Sequence, residues 1–153
     1  MSEAIRDFHK RHGADQINVD GWLLWPNGAM REANAYGALI DPPADPWECA
    51  KKVLWYWTCR LKRAVADFDA AKANLRAVAA ARMRDGGDPP DADQLKNLKA
   101  LKAEVERVRA QHAKAHDAER AAIPADIRAH WAQREKNQKA AQDFLSAVNE
   151  VTV

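Results

Sequence analysis

The tract HAKAH places His112 and His116 four residues apart, the spacing at which two imidazoles on one helix face reach the same metal ion. A catalytic zinc needs at least one further ligand, which His130, His9 or Asp67 would have to bring from elsewhere in the chain. The glutamate that follows the first histidine in the zinc-protease motif is missing here, and a helical seam already explains His112 as a neighbour of Ala64. A metal-dependent enzyme at His112 and His116 is therefore the third of three readings, and no cofactor is expected.

Thiol chemistry has less to build on. Cys49 and Cys59 lie ten residues apart on one predicted helix, about 15 Å along its axis, so they cannot bridge each other. No metal-ligand spacing or nearby histidine in sequence marks either as a nucleophile, and reduced thiols suit a cytosolic chain. In FHKRHG, His9, Lys10, Arg11 and His12 form a basic knot whose simplest use is to meet the negative end of a short helix. The chain has no phosphate loop, dinucleotide fingerprint or nucleophile elbow, so no catalytic residue is nominated.

Charge distribution says more than charge total. A net charge of +2 with 30 % charged residues does not announce a nucleic-acid binder. Yet Trp47 to Arg84 holds nine basic residues against three acidic ones, whereas Met1 to Pro46 holds four against seven. Lys51, Lys52, Arg60, Lys62, Arg63, Lys72 and Arg76 are the candidates for tracking a phosphate backbone or an acidic protein face. Their competing use is to pair with Glu104, Glu106, Asp117 and Glu119 of the following helix as flanking coiled-coil charges.

Aromatic residues supply the remaining candidate site. Trp22, Trp25, Tyr36, Trp47, Trp55 and Tyr56, if gathered, would line a pocket able to hold a flat ligand or a cation. The run VLWYWTC sharpens the point, because three consecutive helical positions point about 100° apart and no single face can bury all three rings. Where a thin sheet meets a helix base, such rings more commonly form the core, so a junction of several elements is expected here.

The elements that must position these residues follow from local pattern. Ser2 to His12 reads as a short helix with Ser2 as N-cap, Ile5, Phe8 and His12 on one side, and Gly13 as its stop. Asp20-Gly21 suits a two-residue hairpin turn and Pro26-Asn27-Gly28 a type I turn, which gives a meander of Ile17 to Val19, Trp22 to Trp25 and Ala29 to Arg31. So few strands cannot stand alone in water and must lie on a helix.

Asp45, Pro46 and Glu48 then open a long helix with a heptad running from Trp47 through Leu54, Trp57, Leu61, Phe68 and Leu75 to Val78. After RDGGDPPD a second heptad runs through Leu98, Leu101, Val105, Val108, His112 and Ala115. Folding back at Gly86-Gly87 sets Val78 against Leu98, Phe68 against Val108, Ala64 against His112 and Trp57 against Glu119. Pro124 breaks the chain again, and a third helix to about Asn149 carries Ile127, Trp131, Ala141, Leu145 and Val148, with Phe144 beside them and Arg134 and Gln138 interrupting. Its apolar ends fit packing on the aromatic base of the hairpin, or self-association.

At 153 residues and 47 % hydrophobic, one domain is expected. The predicted fold is mainly α: an N-terminal lobe over 1–46 (short helix and β-meander) on the aromatic base of a long antiparallel coiled-coil hairpin over 47–123, and a C-terminal helix over 124–153. The Ala, Arg and Asp bias suits a GC-rich, bacterial coding genome. With no run of about 18 apolar residues and no apolar leader in MSEAIRDFHKRHG, the expected compartment is the cytoplasm, without a membrane partner. The expected function is a non-enzymatic scaffold or adaptor whose projecting arm contacts a protein or a second copy. A nucleic-acid accessory protein using the basic helix face is the alternative.

Overall fold

A computed structural model of the chain describes residues 1–151; Thr152 and Val153, the end of the expected C-terminal segment, lie outside the described residues. The mainly helical fold is as expected, with four helices and a small antiparallel sheet among the described residues. Helix α1 (Glu3–His12) starts where the Ser2 hydroxyl accepts from the Ile5 N–H and stops at Gly13, whose N–H still donates to the His9 carbonyl while its positive φ of 87° turns the chain out of the helix. Strands β1 (Ile17–Val19), β2 (Trp22–Leu24), β3 (Met30–Glu32) and β4 (Leu39–Ile40) pair in chain order. Asp20 and Gly21 both take positive φ, 50° and 83°, as the two-residue turn between β1 and β2 requires.

Two details of the meander differ from expectation. Trp25 and Ala29 belong to the turn rather than to strands: the Trp25 N–H donates to the Ala29 carbonyl, and the third strand begins one residue later than predicted. A fourth strand was missed because two residues are too short to show alternation.

The sheet is the middle layer of a three-layer base. Successive strand residues point to opposite faces, so Leu24 and Met30 join Ile17 and Tyr56 on one side, while Leu23 packs with Phe8, Trp25 and Ala29 on the other. Helix α2 (Pro46–Asp85) covers the first face and α1 the second. The turn VLWYWTC is thereby accounted for: Tyr56 is fully buried under the sheet, Trp55, Trp57 and Cys59 flank it, and Thr58 turns toward the next helix.

Helix α3 (Ala92–Ala122) packs antiparallel on α2, but in a different register from the one predicted. The Trp47 indole donates to Glu119 at 2.8 Å, His112 Nε2 lies 3.2 Å from the Thr58 hydroxyl, and Arg60 reaches Glu104 at 4.0 Å. The predicted partners were Trp57 for Glu119 and Ala64 for His112, so the seam is displaced by about one heptad. The cause is the connection. Beyond Gly86 the chain does not turn tightly: Gly87, Pro89 and Pro90 run back along Ala79, Arg82 and Met83 before α3 begins. Five residues in extended, proline-rich backbone cover about 15 Å at roughly 3 Å each, the length of some ten helical residues. A heptad seam is self-similar under a shift of seven, so either register buries the same faces.

Helix α4 (Ala125–Glu150) corrects a further expectation. It does not cover the aromatic turn, and none of its side chains is buried. It is held at its start by Arg128, which donates to the carbonyls of Arg120 and Ala121 at 2.8 Å, and by an edge contact of Trp131 with Trp47.

Candidate functional site

Helical geometry scatters the seven basic candidates. At about 100° per residue, Lys51, Lys62, Lys72 and Arg76 fall on one flank of the α2 seam and Lys52, Arg60 and Arg63 on the other, so no single basic stripe forms. Most are engaged within the chain. Lys51 pairs with Glu48 and lies over the Trp47 ring, and Lys52 lies over Trp55. Arg63 donates to the Asn18 carbonyl at 3.1 Å, which covers the outer edge of β1, and Lys72 sits over Phe68. Arg60 shares Glu104 with Arg107, whose two-pronged hydrogen bond holds the Glu104 carboxyl below the usual carboxylate range. Lys62 and Arg76 are exposed and make no ion pair among the described residues.

The aromatic candidates divide in the same way. Trp22, Trp55 and Tyr56 meet at the sheet–α2 junction as core, and burial pushes the Tyr56 hydroxyl pKa up against the opposing pull of Arg60. Trp25 lies on the other face of the sheet with its indole donating to the Gly13 carbonyl at 3.1 Å. Trp47 stands at the start of α2 beside Trp131, and Tyr36 is 99 % exposed at a loop tip. The structure thus brings three of the six together and closes no aromatic cage around a cavity there.

The histidine pair is likewise separated in role. His112 is turned into the seam toward Thr58, while His116 is exposed on the outer side of α3. Among the described residues, no group of three His, Cys, Asp or Glu side chains stands close enough to hold a metal.

A polar cluster joins α1 to the sheet. His12 contacts Asp41 through Nε2 and Asn27 through Nδ1, both at 2.9 Å. The Asn27 carbonyl oxygen accepts from the Ala29 N–H, so its amide nitrogen faces His12, and His12 is left to donate to Asp41 through Nε2. Arg31, 92 % buried, donates to His9 and to the carbonyls of Glu32 and Asn34. Burial and the Arg31 charge lower the pKa of His9, which accepts from Arg31 only while neutral. Both nitrogens of His12 are occupied, and the Cys49 thiol turns to the Asn27 carbonyl instead, so this cluster braces the lobe rather than activating a nucleophile. The basic knot of FHKRHG was its only trace in sequence.

What remains unengaged is α4. Beyond the half-buried Ile127 its apolar residues are open, with Trp131 47 % and Phe144 72 % exposed and Leu145 and Val148 about half exposed. No described helix is long and apolar enough to cross a membrane. Comparison with known proteins brings no match: no family model, no curated sequence and no solved structure is significantly similar to this chain.

Proposed function

We propose that this chain is a non-enzymatic interaction module, in which a packed base carries helical arms and α4 is the surface offered to a protein. The observation that carries the reading is the state of α4: 26 residues of helix with no buried side chain, bearing Trp131, Phe144, Leu145 and Val148 in the open. Helices in proteins draw most of their stability from packing an apolar face, and α4 has only its first turns anchored. The titratable clusters support the same reading, since His9, His12 and His112 are each committed to structural hydrogen bonds.

Capture from a lysate of the source cells, with and without nuclease treatment, tests it, comparing the full chain with a variant carrying Trp131→Gln, Phe144→Gln, Leu145→Gln and Val148→Gln. The wild-type chain is expected to retain polypeptides, further copies of itself included, that the folded variant loses. Equal retention by both would overturn the reading. Retention that disappears on nuclease treatment would move the function to nucleic acid and the basic residues of α2.

A further inference from the structure

We infer that the partner of α4 is α4 of a second copy of this chain, paired antiparallel about a two-fold axis near Lys136. The inference rests on the interaction reading above and names its occupant.

The seam itself argues for self-pairing. Ile127, Trp131, Arg134, Gln138, Ala141, Leu145 and Val148 are spaced by alternating fours and threes over three heptads, the length at which a coiled-coil pattern becomes meaningful. The same alternation holds when the helix is read backwards, and an isologous interface needs this, because each residue must meet its partner twice. Pairing across Lys136 sets Ile127 against Leu145, Trp131 against Ala141 and Arg134 against Gln138. Large then faces small, apolar faces apolar, and the two polar interruptions face each other instead of burying a charge against carbon.

The neighbouring arrangements fail on the same residues. Parallel pairing stacks Trp131 on Trp131 and Arg134 on Arg134, which overfills one layer and opposes like charges in another. An antiparallel shift of one heptad seats Arg134 on Leu145. In the favoured register Glu135, which has no ion pair among the described residues, approaches Glu135 of the second copy across the axis, and Arg134 and Lys139 of that copy, both within a turn of it, offset the like charges. Phe144 comes beside His130, and Val148 reaches the level of Pro124 of the second copy, near the corner where Trp47 and Trp131 already meet in each copy. The interface is continuous with that aromatic corner.

The test is the mass of the purified full chain in solution, followed by cross-linking. Light scattering at tens of micromolar should give twice 17.1 kDa, and Leu145→Arg, met twice per dimer, should weaken association about a hundredfold with the circular dichroism melt of the base unchanged. In a chain carrying Cys49→Ser and Cys59→Ser, Ile127→Cys and Leu145→Cys variants should cross-link to each other when mixed and neither to itself. Self-cross-linking of Ile127→Cys would overturn the antiparallel register. A monomeric mass at 100 micromolar would overturn the second copy as occupant; the interaction reading is then judged separately, by whether the wild-type chain still captures a different polypeptide that the four-glutamine variant loses.

Discussion

Helices α3 and α4 carry similar material to different ends. Each follows a proline-containing break and spaces its apolar residues by threes and fours, yet α3 buries Val105, Val108 and Ala115 while α4 buries nothing. The difference begins at the connections. Before α3 the chain runs extended for several residues past Gly86, enough to return along α2 and lay a whole seam on a whole seam. Before α4 only Ile123 and Pro124 intervene, and Arg128 ties the new helix to the last carbonyls of the old one, so α4 leaves the corner without a path back to the base. Seam composition adds to this: the middle of α4 is Arg134 and Gln138, which would be desolvated without partners on an apolar face. An amphipathic pattern states that a helix can be buried; the connection and the polar residues decide where.

The contrast is broken most directly by a buried charge. Val108→Asp in α3 should cost about 4 kcal/mol, measured as the fall in urea midpoint at constant slope, whereas Leu145→Asp in α4 should change the unfolding of the dilute chain by less than about 0.5 kcal/mol. Equal losses would mean that α4 packs on its own base. Two tryptophans repeat the comparison: Trp25→Ala, which empties the site among Phe8, Ala29 and Leu23, should cost about 3 to 5 kcal/mol, and Trp131→Ala much less.

The α3 register is sharpened by engineered disulfides in a chain lacking Cys49 and Cys59. Ala71→Cys with Leu98→Cys should oxidise readily and add about 3 kcal/mol, while Ala71→Cys with Val105→Cys, the pair expected from a tight Gly-Gly turn, should stay reduced. A bridge in the second pair alone would restore the tighter turn. Glu119→Ala, which removes the acceptor of the Trp47 indole, should cost about 1 kcal/mol.

The smallest effect is a pH dependence confined to the base. The folded-state pKa of His9 is depressed by burial and Arg31, so the unfolded chain binds more protons as pH falls from about 6.5 toward the folded pKa. Its contribution is fully present above the unfolded pKa and is lost as pH falls through that window. The melting temperature should decline there, and His9→Gln should flatten that part of the profile; an unchanged slope in the variant would show that His9 does not carry it.

Much of this was legible because its causes are local. Ser2, Asp45, Gly13 and Gly86 cap their helices through neighbours three or four residues away, and Asp20-Gly21 makes its turn by taking positive φ. The heptads identified the faces of α2 and α3 that meet. Less of the candidate site was legible. The basic residues of α2 looked like one set in a linear count, but helical rotation places them on two flanks, and their partners Asn18, Trp55 and Glu104 come from three different elements. Tyr36 read as one more core aromatic because aromatic type carries no direction; the loop from Glu32 to Ala38, held by Arg31 and Asn34, turns it to solvent.

The sequence by itself determined the element types, their caps, the amphipathic faces and the need for a junction at VLWYWTC, since each rests on interactions between residues close in the chain or on a repeating pattern. Only the tertiary structure decided which heptad of α3 lies on which heptad of α2, that α1 locks onto the sheet through His9, His12, Asn27, Arg31 and Asp41, and that α4 stands away from the base. A repeat is indifferent to shifts by its own period, and contacts between segments far apart in the chain depend on the length and direction of the connections, which no single stretch of sequence encodes.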